Sequence, residues 1–270
     1  MNEIFDDIRK LYKFKLPCEE LSEYIEFFSE TSLEAMHRHI GTEKFTVRLF
    51  ASYTPTIWLN LGSPYYLKNG DKTHFISEDT DILLLRNEIV ERTNLPTDNI
   101  FTVKFNPGGF EAIFGIQQAR IGSDLILLSD LLPSGLIRKV KRLDDFSGRM
   151  ELLQRHFLDL LNKDFAKNYA YRKVSAAIHA YTRSEMENKN HALAHEMAMT
   201  DKTFYRYFKA LIGVPPKGYF SIIRARTALT AYVKDKENFS PFEYGYYDPS
   251  HFHKDVIKFT GQKLSAFEKE

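Results

Sequence analysis

The chain has 270 residues, more than one domain of ~100–150 residues normally holds, so two domains are expected. Its 43% hydrophobic and 27% charged residues are those of an ordinary soluble protein that buries a real core. The formal charge is +1, so no overall basic field points to a nucleic acid, and the single Cys18 excludes both an intramolecular disulfide and a cysteine-based structural zinc site.

The opening residues, Met1-Asn2-Glu3-Ile4-Phe5-Asp6-Asp7, are acidic and lack the basic and apolar stretches of a signal peptide. No apolar run approaches the ~20 residues that span a bilayer. The expected compartment is the cytoplasm, with no membrane partner. Residues 1 to about 130 mix aromatic, β-branched and turn residues. A short helix is expected at 22–28. Strands are expected at 45–50, 56–61, 65–67, 73–76, 81–85 and 100–105, with another short helix at 109–115. Asn69-Gly70-Asp71 reads as a hairpin turn, because Asn-Gly tolerates the positive φ of a type I′ turn. From about Phe146 the period becomes helical: Met150, Leu153, Phe157, Leu158, Leu160 and Leu161 form one stripe, and 174–181 another. No Gly- or Pro-rich linker marks a boundary, which is placed near residue 165. The polar segment 182–190 ends one helix before the next module begins.

The last 80 or so residues contain an internal repeat. An offset of 48 maps Gly213 onto Gly261, Phe204 onto Phe252, Arg206 onto Lys254 and Tyr219 onto Phe267. Each copy has apolar residues at helical spacing, a basic residue among them, a glycine suited to the left-handed position that stops a helix, and an aromatic six residues on. A short helix and a sharp turn precede each copy. In the first, Leu193, Ala194 and Met197 face inward, Met199-Thr200 makes the turn, and Thr200 is the expected N-cap, with Asp201 at the positive end of the helix. In the second, Asp248 is the expected N-cap and Pro249 the first helical residue. Two such pairs make two helix-turn-helix units. Residues 190–270 carry 12 Lys and Arg against 9 Asp and Glu, a surplus compatible with phosphate binding but not sufficient to suggest it.

Gly245-Tyr246-Tyr247-Asp248-Pro249-Ser250-His251-Phe252, followed by Lys258-Phe259-Thr260-Gly261, resembles the C-terminal signature of the AraC/XylS regulators of bacteria. Leu193-Ala194, Met199-Thr200, Phe208-Lys209 and the run from Gly213 to Tyr219 fit that family's first unit in order, and Arg224-Ala225-Arg226-Thr227-Ala228-Leu229 resembles its linker helix. The resemblance implies an α+β chain: a β-rich N-terminal domain with helices, then an all-α domain of two helix-turn-helix units joined by a linker helix. The domains would be 1–165, for sensing or dimerisation, and 166–270, with units at about 190–213 and 239–261. The N-terminal region resembles a sensor-like domain attached to such modules, on Tyr24-Ile25-Glu26-Phe27-Phe28, Leu59-Asn60-Leu61-Gly62 and Phe105-Asn106-Pro107-Gly108-Gly109-Phe110. Two departures stand out. Ala198 occupies a turn position where glycine is common, and Ser240-Pro241 replaces an apolar residue and alanine in the second unit. A short helix starting at Pro241 with Ser240 as N-cap accommodates that change.

The expected DNA-reading residues are Thr200, Lys202, Thr203, Tyr205 and Arg206 in the first recognition helix and Ser250, His251, His253 and Lys254 in the second. Arginine and lysine donate to guanine, and threonine and tyrosine reach bases or phosphates. Lys209, Lys217, Arg224 and Lys258 are phosphate-clamp candidates, ordinary solvation being the competing reading for each. Leu193, Phe204 and Phe208 are expected to fold around a small core of their own. Neither His251 with His253 nor His37 with His39 has the spacing of a helical metal pair, and Pro107-Gly108-Gly109 lacks the pattern of a phosphate loop, so no metal or cofactor is expected. Trp58 and nearby tyrosines line a pocket or, more commonly for aromatic strands, a core. No catalytic constellation stands out, and Cys18 has no basic neighbour to activate it. The expected function is sequence-specific transcription regulation, not catalysis. Partners are double-stranded DNA, RNA polymerase, a small-molecule or protein effector at the N-terminal domain, and a second copy of the chain. The rival is a regulator impaired in DNA binding that works through protein contacts.

Overall fold

The computed structural model describes residues 10–267 except 123, 185, 187 and 188. The acidic Met1–Asp7 stretch, and part of the polar segment 182–190, lie outside the described residues. No helix among them is long and apolar enough to cross a membrane.

Among the described residues, the N-terminal part is built from ten strands. These are β1 (Tyr12–Lys15), β2 (Ile25–Thr31), β3 (Phe45–Leu49), β4 (Pro55–Asn60), β5 (Tyr65–Asn69), β6 (Lys72–Ile76), β7 (Ile82–Leu85), β8 (Val90–Asn94), β9 (Ile100–Phe105) and β10 (Ile126–Leu127). A six-stranded antiparallel sheet runs β1-β2-β9-β4-β7-β10, and a four-stranded one runs β3-β8-β5-β6. Every residue of β4 is buried, because the six-stranded sheet is a middle layer. Ile57 and Leu59 join the core on its helical side, and Trp58 joins a second core between the sheets with Tyr65, Leu67 and Ile82. Trp58 is thus a core residue, packed edge-on against Tyr65 with the Arg92 guanidinium 5.0 Å from its ring.

Two expectations need correction here. Residues 22–28 do not form a helix; 25–31 is β2, paired with β9 so that Phe28 faces Val103. Glu26 is exposed and Phe27 half-buried, but Phe28 to Thr31 are all buried although three of the four are polar, so the sequence shows no clean apolar–polar alternation to mark a strand. The hairpin loop is Gly70-Asp71, one residue later than Asn-Gly, since Asn69 pairs with Lys72. Only Gly70 has positive φ there, so the turn is not type I′.

Helices α1 (Leu33–His39), α2 (Gly109–Phe114), α3 (Ser134–Arg142) and α4 (Phe146–Leu160) complete this part. Helix α2 meets β2 so closely that a Cβ on Gly109 would fall 1.9 Å from the Tyr24 carbonyl oxygen, which only glycine permits. Helix α4 starts at the N-cap Asp145, whose carboxylate accepts from the Gly148 amide at 2.9 Å. Its stripe Phe146, Met150, Leu153 and Phe157 lies on the sheet, and Arg149 is buried in a two-bond pair with Glu30 of β2 at 2.6 and 2.9 Å. Then come α5 (Tyr169–Arg183), α6 (Asn190–Glu196), α7 (Asp201–Ile212), α8 (Pro216–Lys234) and α9 (Pro249–Thr260).

The core does not divide near residue 165. One buried cluster runs from Leu21 through Phe105, Phe157 and Tyr171 to Leu193, Phe204, Phe208 and Phe220. The first unit therefore shares its core with the N-terminal part and has none of its own, contrary to expectation, because α5 is packed on both sides. Tyr171 lies against Tyr24, and Tyr181 against Phe220. The second unit does have a separate cluster: Ala228, Leu229, Tyr232, Tyr246, Phe252, Val256 and Phe267, with Phe50 reaching in from the N-terminal part.

Candidate nucleic-acid interface

Helices α6 and α7 form the first unit. Thr200 caps α7: its Oγ1 accepts from the Thr203 amide at 3.2 Å and donates to Thr203 Oγ1 at 3.1 Å. The Thr200 proton is thereby engaged, while the Thr203 hydroxyl keeps its own to give away. Ala198 holds φ +54° in the turn, which explains why glycine suits this position. Lys173 of α5 steadies the turn by donating to the Met197 carbonyl at 2.8 Å, and His191 pairs with Asp201 at 3.2 Å on the outer side. Phe204 and Phe208 face inward, leaving Thr200, Lys202, Tyr205 and Arg206 exposed and Thr203 half-buried. Arg206 lies 5.5 Å from the Tyr207 ring. Lys209 is exposed but donates to the Gly213 carbonyl at 3.2 Å, at the end of α7 away from Thr200.

The second unit departs from expectation at its start. Pro241–Tyr244 is a single 3-10 turn, not a short α-helix, and the Ser240 side chain makes no capping bond. Gly245, at φ +68°, ends it after four residues. Asp248 caps α9 as expected, accepting from the His251 amide at 2.9 Å, with Pro249 first in the helix. Ser250 and Lys254 are exposed; His251 and His253 are half-buried. Arg224 Nη2 lies 3.4 Å from His251 Nε2, and the Tyr246 ring stands edge-on to His251.

Not all the clamp candidates face outward. Arg224 turns into the protein, donating to Asp255 at 2.9 Å and lying 4.2 Å above the Tyr246 ring. Burial, then the Asp255 charge, push the Tyr246 phenol up, and it donates to the same carboxylate at 3.2 Å. This network fixes α9 on α8 and engages the Arg224 guanidinium within the protein. Lys258 lines a cleft of about 500 Å³ between α9 and the four-stranded sheet. Lys217 is exposed in the first turn of α8. Two exposed aromatics beside the N-terminus of α9 escaped the sequence reading: Tyr247, 75% exposed, and Phe242, 56% exposed. Tyr247 sits immediately before the N-cap Asp248. Partial burial raises the Cys18 thiol, so it is not an activated nucleophile.

A family model described as a helix-turn-helix domain matches residues 193–270. Among curated proteins none matches the chain. Solved structures similar to it include ToxT from Vibrio cholerae, 13% identical with a TM-score of 0.47 over 95% of this chain and 97% of that one. Wild-type ToxT bound to an unsaturated fatty acid is 15% identical, TM-score 0.44, over 84% and 90%. The AraC-like transcriptional activator CuxR is 12% identical, TM-score 0.28, over 84% and 89%.

Proposed function

We infer that this chain, whose residues 193–270 match a helix-turn-helix domain, is a DNA-binding transcription regulator of the AraC/XylS type that reads the duplex in two parts. The observation that supports it is the repeat in three dimensions. Helices α7 and α9 are each 12 residues long, each capped by an oxygen side chain and each closed by a left-handed glycine. The 19-residue α8 between them spans ~28 Å at 1.5 Å per residue, of the order of one duplex turn of ~34 Å. Under this reading Lys202, Thr203, Tyr205 and Arg206 meet one major-groove segment. Ser250, His251, His253, Lys254 and Tyr247 meet the next. Lys217 neutralises a phosphate, and Thr200 and Lys209 act mainly on α7 itself.

The N-terminal domain, taken as 1–165, receives the signal. The cleft against Lys258, of a size that suits a small ligand, is where an effector would reach both domains. RNA polymerase and a second copy of the chain are further partners in this proposal; the exposed Tyr66 and Phe75 pair on the four-stranded sheet supports the latter. The experiment is footprinting on a duplex selected from a random pool. Two protected patches ~10 base pairs apart on one face are expected. Ser250→Glu with Lys254→Glu erases one of them. Lys217→Ala makes the log–log salt dependence shallower by about one unit. A single patch in the native protein, or salt-independent binding, refutes the bipartite reading.

A further inference from the structure

The repeat has a counterpart in the N-terminal domain. The last carbonyls of a helix have no partner within it. The final residues of α7 and α9 are Ile212 and Thr260, which occupy the same position of the 48-residue repeat. Both carbonyls face donors from the N-terminal domain: Gln118 Nε2 donates to Ile212 at 2.9 Å, and Arg48, whose Nη2 pairs with Glu91, has its Nη1 3.5 Å from the Thr260 oxygen, at the limit of a hydrogen bond. The glycines that follow are approached from the same side. A Cβ on Gly213 would lie 3.6 Å from Ala119, and one on Gly261 3.3 Å from the Ile89 side chain.

One segment connects the two grips. Gln118, fully buried, also donates to the Tyr53 carbonyl, and Tyr53 and Ala51 pack with Ile222 and Ala225 of α8 and Phe259 of α9. Phe50 enters the second unit's core, and its carbonyl is held by Arg86 at 2.6 Å. Residues 48–53 thus touch the end of α9 directly, the linker helix, and, through Gln118, the end of α7. The DNA-facing N-termini, at Thr200 and Asp248, stay free.

We propose that the N-terminal domain sets the spacing and twist between the two recognition helices by gripping both at this shared repeat position, with Gln118 and Arg48 as positioning residues. Resting on the bipartite reading for its consequence at DNA, the grip makes the separation of the two reading heads a property of the N-terminal domain and not of α8 alone. A displacement of 48–53 against Gln118 changes that separation without altering any residue that meets a base.

The test uses the full chain with Cys18→Ser and spin labels on Lys202→Cys and Ser250→Cys, both exposed positions. Pulsed electron resonance then reads the distance between the recognition helices with no DNA present. Expected is a narrow distribution that shifts or broadens by several ångström in Gln118→Leu and in Arg48→Ala, and narrows again in Arg48→Lys, which keeps a donor. Arg48 is partly exposed, so its variants report even where Gln118→Leu does not fold. The Gln118 and Arg48 variants, now unlabelled and with Lys202 and Ser250 intact, are then titrated with duplexes carrying one extra base pair between the two segments, which rotates them by ~35°. The insertion costs the unaltered protein roughly tenfold in affinity, the size of one lost base contact, and the variants less than about threefold. Unchanged distances in folded Arg48→Ala overturn the grip. Shifted distances without any bipartite DNA binding support the grip and refute the bipartite reading instead.

Discussion

Phe208→Ala and Phe252→Ala each remove one buried phenylalanine from one of the two repeats, and the structure assigns them different consequences. Phe208 is fully buried, with Phe204 at 4.8 Å and Phe220 at 5.1 Å, in the cluster that continues to Phe105. Phe252, 2% exposed, sits among Phe239 at 5.0 Å, Tyr246 at 5.3 Å and Tyr232 at 6.1 Å in the second unit's own cluster. Each truncation costs about 3–5 kcal/mol of local packing. For Phe208→Ala that loss falls on the common core, and at 2–4 °C per kcal/mol the main unfolding transition drops by ~10 °C. For Phe252→Ala the loss exceeds what a small cluster of this kind supplies, so the second unit opens by itself while the main transition moves by only a few degrees. Calorimetry with near-ultraviolet circular dichroism reads the transitions, and footprinting reads the units: Phe252→Ala keeps the first protected patch and loses the second. Equal drops of the main transition in both variants would refute the division into one shared and one separate core.

Three further outcomes follow from particular side chains. Arg206→Ala should weaken binding by about 1–3 kcal/mol and relax preference at one base position, read by competition titration against single-base variants of the selected duplex. Ala198→Gly relieves a left-handed alanine at φ +54° and should stabilise by about 1 kcal/mol, seen as a midpoint raised by a few degrees; a lowered midpoint counts against strain there. Asp98, buried with Oδ1 unpartnered, is pushed up from 3.8 to about 7, chiefly by burial and against the Leu95 amide and Arg92. Because the folded pKa is the higher one, its favourable contribution is complete below the unfolded value and is lost as pH rises from there through about 7. Asp98→Asn should flatten stability over that window, and an unaltered pH profile of the denaturation midpoint disproves the assignment.

What was legible in the sequence is local chemistry. Thr200 and Asp248 as N-caps, Pro249 at the helix start, and Gly213 and Gly261 as left-handed stops each depend on neighbours a few residues away, and each occupies its expected place. Strand β2 was not legible, since buried Ser29, Glu30 and Thr31 follow apolar Phe27 and Phe28 and break the alternation that distinguishes a strand. Arg224 was misjudged for a related reason: its basic type suits a phosphate, but Asp255 and Tyr246, 31 and 22 positions on, decide where it points. Least legible were the contacts between domains. Gln118 meets Ile212 across 94 residues and Arg48 meets Thr260 across 212, and neither residue type announces such a partner.

The altered start of the second unit illustrates how a recognition helix stays in place when its companion shrinks. Proline at the first position of the 3-10 turn lacks only an amide that would be unpaired anyway, so Pro241 does little harm by itself. What is lost is the apolar face of a full first helix, and no residue of the turn is buried. Phe239, just before the turn, supplies part of the missing surface: it stacks on Tyr244 of the turn at 5.5 Å and packs against Phe252 and Tyr232. Helix α9 is then held by contacts that do not involve the turn, namely the Asp248 cap, the Arg224 to Asp255 pair and Arg48 at the Thr260 carbonyl. Three of its anchors therefore come from the capping loop, the linker helix and the N-terminal domain. The placement of Ser250, His251, His253 and Lys254, proposed above to read DNA, depends on those three, and the length of the preceding turn matters to the unit's stability more than to that face.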